Sequence, residues 1–507
     1  MTAALVLHNG VATSRDAVPR LELDAFRRSV IDGTTSGRRL AALFAVPEGS
    51  GLELYVVLAD DEQGTLEAAR TLLATDAYPA LTPECTQAHL FERALAEQWG
   101  VVPVGHPWLQ PVRFQPPRRG DGGSRNRRAD GASRALVGVI EPHRVEGEEI
   151  HEVAVGPVHA GVIEPGHFRF QCHGENVFQL DVSLGYQHRG VARALVGGPD
   201  KRTIHYMETL AGDTTVGHAL AYCQAIEALA ETRVPPRAHA LRAIALELER
   251  LANHTGDLGA LAGDVGFLPT ASYCGRLRGE FLNATALLCG SRLGRGLVRS
   301  GGVGFDVDAA LAAQVLERVE AAWRDLVPAV DLLWETASVT GRFETTGRVD
   351  AEVARELGLV GLAARACGLR RDVRTTHPTG MYQFVHLPIA TWESGDVFAR
   401  AFVRWLEIER SVEFVRTQLR TLRSGVARVA PSALRPDAFC VSLVEGWRGE
   451  ICHVALTDAQ GRFAAYEVVD PSFHNWSALS MALRGQQISD FPLCNKSFNL
   501  SYCGHDL

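Results

Sequence analysis

The sequence predicts an α+β fold in two unequal parts: a small α+β unit first, then a mainly helical unit with small flanking sheets. Three observations carry this reading. At 507 residues the chain is too long for one ordinary core. A stretch at Arg113–Ala135, containing PPRRGDGGSRNRRADGAS, has the Pro, Gly, Ser, Asn and Arg composition of a flexible linker. Beyond it, long segments repeat apolar residues at three- and four-residue spacing.

In the first part, Leu40–Val46 and Leu52–Leu58 are apolar runs of strand length, joined by hairpin punctuation at Pro47–Gly51. Thr65–Leu73 and Pro83–Glu97 are expected to be helical, the second pairing Leu90 with Ala94 and Phe91 with Leu95. After the linker, Glu152–Val155 and His167–Asp181 alternate like strands, with a turn at His173–Asn176. Helices are expected to dominate from about Val191 to Gly425. Pro235-Pro236 suits a helix start and leads into a stripe of Leu241, Ile244, Leu248 and Leu251. Asp396–Leu422 reads as another long helix, with Phe398, Phe402, Trp405 and Val412 as core contacts. Glu450–Leu456 and Arg462–Val468, joined across Asp458–Gly461, form a late hairpin.

Composition narrows the function. A net charge of -8 argues against a general nucleic-acid binder. No stretch approaches the roughly 20 apolar residues that span a bilayer. The start, MTAALVLHNG, lacks the basic region of a signal peptide, so a cytoplasmic chain is expected, attached to a membrane only through partners. None of the ten cysteines stands in CxxC, and the closest two, Cys494 and Cys503, are nine positions apart. Scattered cysteines of this kind are mostly small buried hydrophobes. Nothing resembles a glycine-rich dinucleotide loop after a strand, so NAD(H) is expected only through another subunit.

Ordered blocks then give a family resemblance. FERALAEQWGVVPVGHPWLQPV (Phe91–Val112) is similar to the end of the C-type subunits of complex I. After it come GPVHAGVIEPGHFRF (Gly156–Phe170), LGYQHRG (Leu184–Gly190), VPPRAHALRAIALELERLANH (Val234–His254) and RSGGV (Arg299–Val303). Near the end stand EGWRGE (Glu445–Glu450) and LRGQQISDFPLCNKSFNLSYCGHDL (Leu483–Leu507). Together they resemble the fused C/D-type large subunit of respiratory complex I and of formate hydrogenlyase-type nickel–iron hydrogenases. The resemblance implies a C-type α+β domain at residues 1–113, a linker at 114–135 and a D-type, hydrogenase-large-subunit-like domain at 136–507. It also implies an iron–sulfur small subunit with a 4Fe-4S cluster, multi-spanning membrane subunits of an antiporter-like arm, and a place on the cytoplasmic face of the membrane.

A nickel–iron site needs thiolates from two CxxC pairs. Aligning METLAGDTTVGHALAY (Met207–Tyr222) and NLSYCG (Asn499–Gly504) with the hydrogenase pattern puts Ala211, Thr214, Ser501 and Gly504 at the four ligand positions. Cys503 is one residue off. Metal binding here is therefore not expected, and the cavity is expected to serve a quinone or another small acceptor.

Quinone reduction consumes two electrons and two protons, which suits imidazole and phenol donors. The resemblance nominates His159, Tyr206, Asp213 and His218 for the acceptor cavity, and His188 and Arg189 for the side facing the partner's cluster. His159 matches the first histidine of the complex I GPxHP loop. The second is replaced by Ile163 or Pro165, depending on the alignment. Purely structural roles are open to the same kinds of residue. His188 or His254 can be helix-end hydrogen-bonders, Arg189 can pair with a carboxylate at the subunit interface, and Glu208 and Asp213 can start a proton path or cap the following helix. The alternative to an oxidoreductase subunit with a working cavity is a non-catalytic scaffold coupling iron–sulfur and membrane subunits. A true hydrogenase is a third reading, opposed by the missing cysteines.

Overall fold

The computed structural model describes residues 4–118, 137–160 and 163–507. Its first part contains β1 (Leu5–Leu7), β2 (Ala12–Ser14), α1 (Leu23–Thr35), β3 (Arg39–Glu48), β4 (Gly51–Asp60), β5 (Thr65–Leu73), β6 (Ala77–Pro79), α2 (His89–Trp99) and β7 (Val102–Val104). A sheet ordered β1-β5-β4-β3 carries α1 and α2, and β6 pairs in parallel with β7.

Two expectations need correction here. Thr65–Leu73 is strand β5, not a helix. Its residues Leu, Glu, Ala and Arg favour helices, but nine of them pair in unbroken register with β4, and Leu66, Ala68 and Ala69 are buried in the sheet core. Tertiary pairing outweighs a preference worth tenths of a kcal/mol per residue. The helix expected from Pro83 begins only at His89, after a 3₁₀ turn at Thr86–Ala88. The Leu90/Ala94 and Phe91/Leu95 pairs do face the core.

Of the expected linker, residues 119–135 lie outside the described residues. Its beginning is packed, contrary to expectation. Phe114 is buried, and the Arg113 guanidinium stacks 5.2 Å from the Phe473 ring and donates to the His505 carbonyl at 3.0 Å.

The second part opens with β8 (Ile150–Val155), β9 (His167–His173) and β10 (Asn176–Ser183), an antiparallel sheet ordered β10-β9-β8. Helices follow: α3 (Val191–Leu195), α4 (Thr203–Met207), α5 (Thr215–Leu229), α6 (Pro236–Asp264) and α7 (Leu268–Cys289). A two-residue hairpin pairs β11 (Val298–Arg299) with β12 (Gly302–Val303). Then come α8 (Ala309–Glu335), α9 (Ala337–Phe343), α10 (Ala351–Glu356), α11 (Gly361–Arg365), α12 (Val373–Thr376) and α13 (Val397–Arg420). The chain ends with β13 (Ala438–Glu445), β14 (Glu450–Thr457), β15 (Phe463–Val469), α14 (Pro471–Leu483), α15 (Phe491–Phe498) and α16 (Tyr502–Asp506). Helix α6 starts on Pro236, whose missing N–H costs nothing at a first turn. Helix α13 is capped by Asp396, which accepts from the Ala399 N–H at 2.8 Å.

The sheet ordered β15-β14-β13-β2 is the wall on which both parts are built. Its strand β2 comes from the first part, and Arg39 on β3 pairs with Glu450 on β14. Every residue of β13 and β14 is buried, because both faces are covered. By the period of two, Phe439, Val441, Leu443, Cys452, Val454 and Leu456 join the core of the first part. Their alternates Ala438, Cys440, Val444, Ile451 and Ala455 join the helical core. Ser442 and His453, paired in register, share that second parity and face α5, which lies across both strands. Among the described residues no helix is long and apolar enough to cross a membrane.

Candidate functional site

Four segments converge at the N-terminal end of α5. They are the Ala211–Gly217 turn, the β13–β14 turn with Trp447 and Arg448, the start of α14 at Asp470, and the closing segment Asn499–Gly504. Arg448 binds them together. Its guanidinium grips Asp213 at 2.6 and 2.9 Å, reaches Thr214 Oγ1 at 3.2 Å, and donates from Nε to the Asn499 carbonyl at 2.5 Å. The Asp213 carbonyl accepts from Trp447 Nε1 and Asn253 Nδ2, both at 3.0 Å. Burial pushes Asp213 up, but the Arg448 charge outweighs it and holds this carboxyl below its ordinary range.

Neither Asp213 nor Glu208 caps α5 by its side chain. Glu249, one helix away, accepts the Val216 and Gly217 N–H groups at 2.7 and 3.2 Å. Burial pushes Glu249 up to about 8, against the lowering effect of those two bonds. Glu208 is bound to Arg299 at 2.6 Å and to the Gly296 N–H at 2.7 Å, which joins the site to the RSGGV block.

The four positions matched to nickel ligands offer nothing a nickel ion needs. Ala211 is a buried methyl. The Thr214 hydroxyl donates to Asp213 at 3.2 Å. Ser501 caps α16, its Oγ accepting from the Gly504 N–H at 2.9 Å. At Gly504 a Cβ would stand 2.7 Å from Asp470, so no thiol can be carried there without displacing that carboxylate. Cys503, the nearest thiol, is 3.3 Å from Ser501 Oγ, and burial pushes it up to about 11. Among the described residues no three His, Cys, Asp or Glu side chains are grouped to hold a metal. The residues present do not fit nickel.

The other nominated residues divide into two groups. His218 lies at the centre, fully buried, with Nε2 3.0 Å from Asp470 Oδ2 and Nδ1 3.1 Å from His453 Nε2. His159 is half-buried on the loop before β9, where Nε2–H donates to the Gly166 carbonyl at 2.9 Å. That loop is tied to the site by Glu164, which accepts the Tyr502 and Cys503 N–H groups at 3.2 Å each. Ile163, at one of the alignments of the missing second histidine, is exposed. Tyr206 stands apart on α4, half-buried against the helical core.

Arg189 and His188 hold the last residues in place. Arg189 donates to the carbonyls of Thr209, Leu210 and Cys503 at 2.7, 2.8 and 3.1 Å. The His188 ring bonds the Asp506 carbonyl at 2.8 Å. His254 is no helix-end residue: it sits within α6 and bonds Glu407 on α13 at 2.8 Å.

Sequence reasoning missed Asp470, His453, Tyr466 and Glu249, and assigned Arg448 no role although EGWRGE contains it. Asp470 before Pro471 has a readable signal, that of a helix cap, and it does accept the Ser472 N–H at 2.8 Å. For His453 the signal is strand parity, which places it on the α5 side of β14.

A mainly helical core, built on a sheet shared with a small α+β part, with a buried charged site at the junction of these four segments, is in keeping with the large-subunit resemblance of the sequence blocks. The comparisons agree. A family model described as "Respiratory-chain NADH dehydrogenase, 49 Kd subunit" matches residues 264–437. The carbon monoxide-induced hydrogenase of Rhodospirillum rubrum is 30% identical over 352 residues, covering 69% of this chain and 97% of that protein. Formate hydrogenlyase subunit 5 of Escherichia coli is 28% identical over 436 residues, 84% of this chain and 76% of that protein. NADH-quinone oxidoreductase subunit 4 of Thermus thermophilus is 28% identical over 370 residues, 68% of this chain and 90% of that protein. The chain belongs to the family of large subunits shared by NADH-quinone oxidoreductases and membrane-bound hydrogenases, and is part of an oxidoreductase complex.

Proposed function

We propose that this chain is the large subunit of a membrane-associated, complex I-like oxidoreductase in which a quinone or another small acceptor is reduced in a nickel-free cavity. An iron–sulfur small subunit with a 4Fe-4S cluster closes that cavity and supplies the electrons. Multi-spanning membrane subunits of an antiporter-like arm lie below, on the cytoplasmic face, and NAD(H) enters only through another subunit. Residues 1–113 act as the C-type unit and 136–507 as the D-type unit.

The observation that carries this reading is the chemistry at the positions matched to the nickel ligands. Where hydrogenase chemistry calls for soft thiolates, this chain has a methyl, two hydroxyls and a glycine, with the arginine-bound Asp213 and the His218–Asp470 pair beside them. Those groups suit proton and hydrogen-bond traffic at an organic acceptor. His159 and Tyr206 are assigned to the outer part of the cavity, and His188 and Arg189 to the wall facing the cluster. The experiment is quinone reduction by the purified complex, with binding of a quinone-site inhibitor. Turnover blocked by the inhibitor supports the reading; no turnover and no inhibitor binding defeats it.

A second reading, a non-catalytic scaffold coupling the iron–sulfur and membrane subunits, draws on the saturated Asp213–Arg448 pair, which leaves little free donor capacity there. Alanine at His159, Tyr206 and His218 decides between them. Intact activity of the complex favours the scaffold; loss favours the cavity.

A further inference from the structure

Asp470 and His218 begin a longer buried row that the family pattern does not explain. His218 Nδ1 is 3.1 Å from His453 Nε2, and His453 Nδ1 is 2.8 Å from the Tyr466 hydroxyl. All four side chains are buried. The proton positions follow by elimination. Asp470 already accepts the Ser472 N–H, and burial, which pushes it up, is outweighed by the His218 bond, so it is an ionised acceptor. His218 therefore donates from Nε2, and in its neutral form this leaves a lone pair at Nδ1. His453 must then donate from Nε2 and accept at Nδ1, where the Tyr466 O–H points. Every donor in the row is directed toward Asp470.

At its far end Asp470 lies against Gly504, with all three carboxyl atoms within 2.8 Å of where a Cβ would be. The row thus ends at a position matched to a late thiolate. Burial holds His453 well below the imidazole range and Tyr466 well above the phenol range, so neither ionises by itself. The one nitrogen pair flanked by both a carboxylate and an imidazole belongs to His218. Titratable and charged groups facing the row are Arg448 and His474 near Asp470, and Tyr222, Cys223, Cys440 and Cys452 near Tyr466.

We propose that this row is the proton donor of the acceptor site, His218 holding one proton against Asp470 and releasing it through that carboxylate as the acceptor is reduced. The proposal rests on the reading of the site given above. Loading takes one proton from water. His218 then carries N–H on both nitrogens, His453 accepts at Nε2 and donates from Nδ1, and the Tyr466 oxygen accepts. Discharge passes the Nε2 proton through Asp470 to the acceptor oxygen, one proton for each electron from the partner's iron–sulfur cluster, and leaves His218 and His453 each with N–H on Nδ1; turning of the two rings restores the first set of tautomers. No bond between heavy atoms forms or breaks.

The test compares two acceptors in the purified complex, chemically reduced: a quinone, whose reduction takes protons, and ferricyanide, whose reduction takes none. In His453→Gln and Asp470→Asn, the latter keeping a capping side chain, the ratio of quinone to ferricyanide reduction is expected to fall at least tenfold. The remaining quinone reduction acquires a solvent deuterium isotope effect. A ratio within twofold of wild type, or equal loss of both activities, overturns the proposal. If wild type itself reduces no quinone, the acceptor reading fails separately. The row is then judged by the partner cluster's midpoint potential, expected to fall with rising pH in wild type and to do so less in both variants. Equal pH slopes overturn it.

Discussion

The cluster around Glu407 and the cluster around Asp470 both bury carboxylates completely, yet they neutralise them differently. Glu407 is bound by Arg365 at 2.6 Å and Arg250 at 3.2 Å, with His254 at 2.8 Å. Arg365 also reaches Glu445 at 2.6 Å, and Arg374 ties Glu247 to Asp372 at 3.1 and 2.6 Å. Guanidinium stays charged across the biological pH range, so this network fixes α6, α11, α12, α13 and β13 to one another and has little to release. Its one imidazole, His254, is pushed down by burial despite the Glu407 bond. Asp470 is instead bonded to an imidazole backed by a second imidazole. Burial alone therefore does not mark chemistry. What marks it is a partner able to change its proton count.

Substitutions separate the two clusters, and the largest effect is expected in the arginine network. Glu407→Ala leaves Arg365 and Arg250 without their carboxylate and should destabilise the protein by about 3–5 kcal/mol, read as a large fall in melting temperature or failure to fold. Gly504→Cys probes the other cluster. Its Cβ meets Asp470 at 2.7 Å, so a loss of about 1–3 kcal/mol from overpacking is expected, with no gain of nickel on metal analysis. A stable variant that takes up nickel would show that Asp470 is free to move.

The two carboxylates beside α5 should give opposite pH signatures. Glu249 is raised in the fold, so its contribution to stability is fully present below its unfolded pKa near 4.5 and is lost as pH climbs through about 8. Asp213 is lowered, so its contribution is present above 3.8 and is lost as pH falls through its folded value. Glu249→Gln should therefore flatten the decline in stability between pH 5 and pH 8 by at least about 1.4 kcal/mol, the worth of one pKa unit. Melting curves at the two pH values check it. The smallest effect belongs to the surface: Arg276→Ala removes a half-exposed pair with Asp325 and should cost under about 1 kcal/mol.

Much of this architecture was readable from residues in order. The long helices announced themselves by Pro235-Pro236, Asp396 and their apolar stripes, and the late hairpin by Asp458–Gly461. Strand β5 was not readable, because TLEAARTLL has helical residues and becomes a strand only between β1 and β4. The site was half legible. The turn at Ala211–His218 and the segment Asn499–Gly504 stood out by aligning two local blocks. Asp470 and His453 did not, since they meet His218 across 252 and 235 positions of sequence. No local spacing encodes a contact made by folding a sheet against a helix. Burial of Arg113 and Phe114 was hidden in the same way, their partners His505, Phe473 and Gly185 lying far along the chain.

A methyl, two hydroxyls and a glycine stand at the positions matched to nickel ligands, in a chain that belongs to an oxidoreductase complex. Metal analysis of the affinity-purified complex, with its subunits identified by mass spectrometry, tests this most directly. Iron without nickel is expected, alongside a small iron–sulfur subunit and multi-spanning membrane proteins. Stoichiometric nickel would contradict it and would return Ala211, Thr214, Ser501 and Gly504 to an unsolved ligand problem.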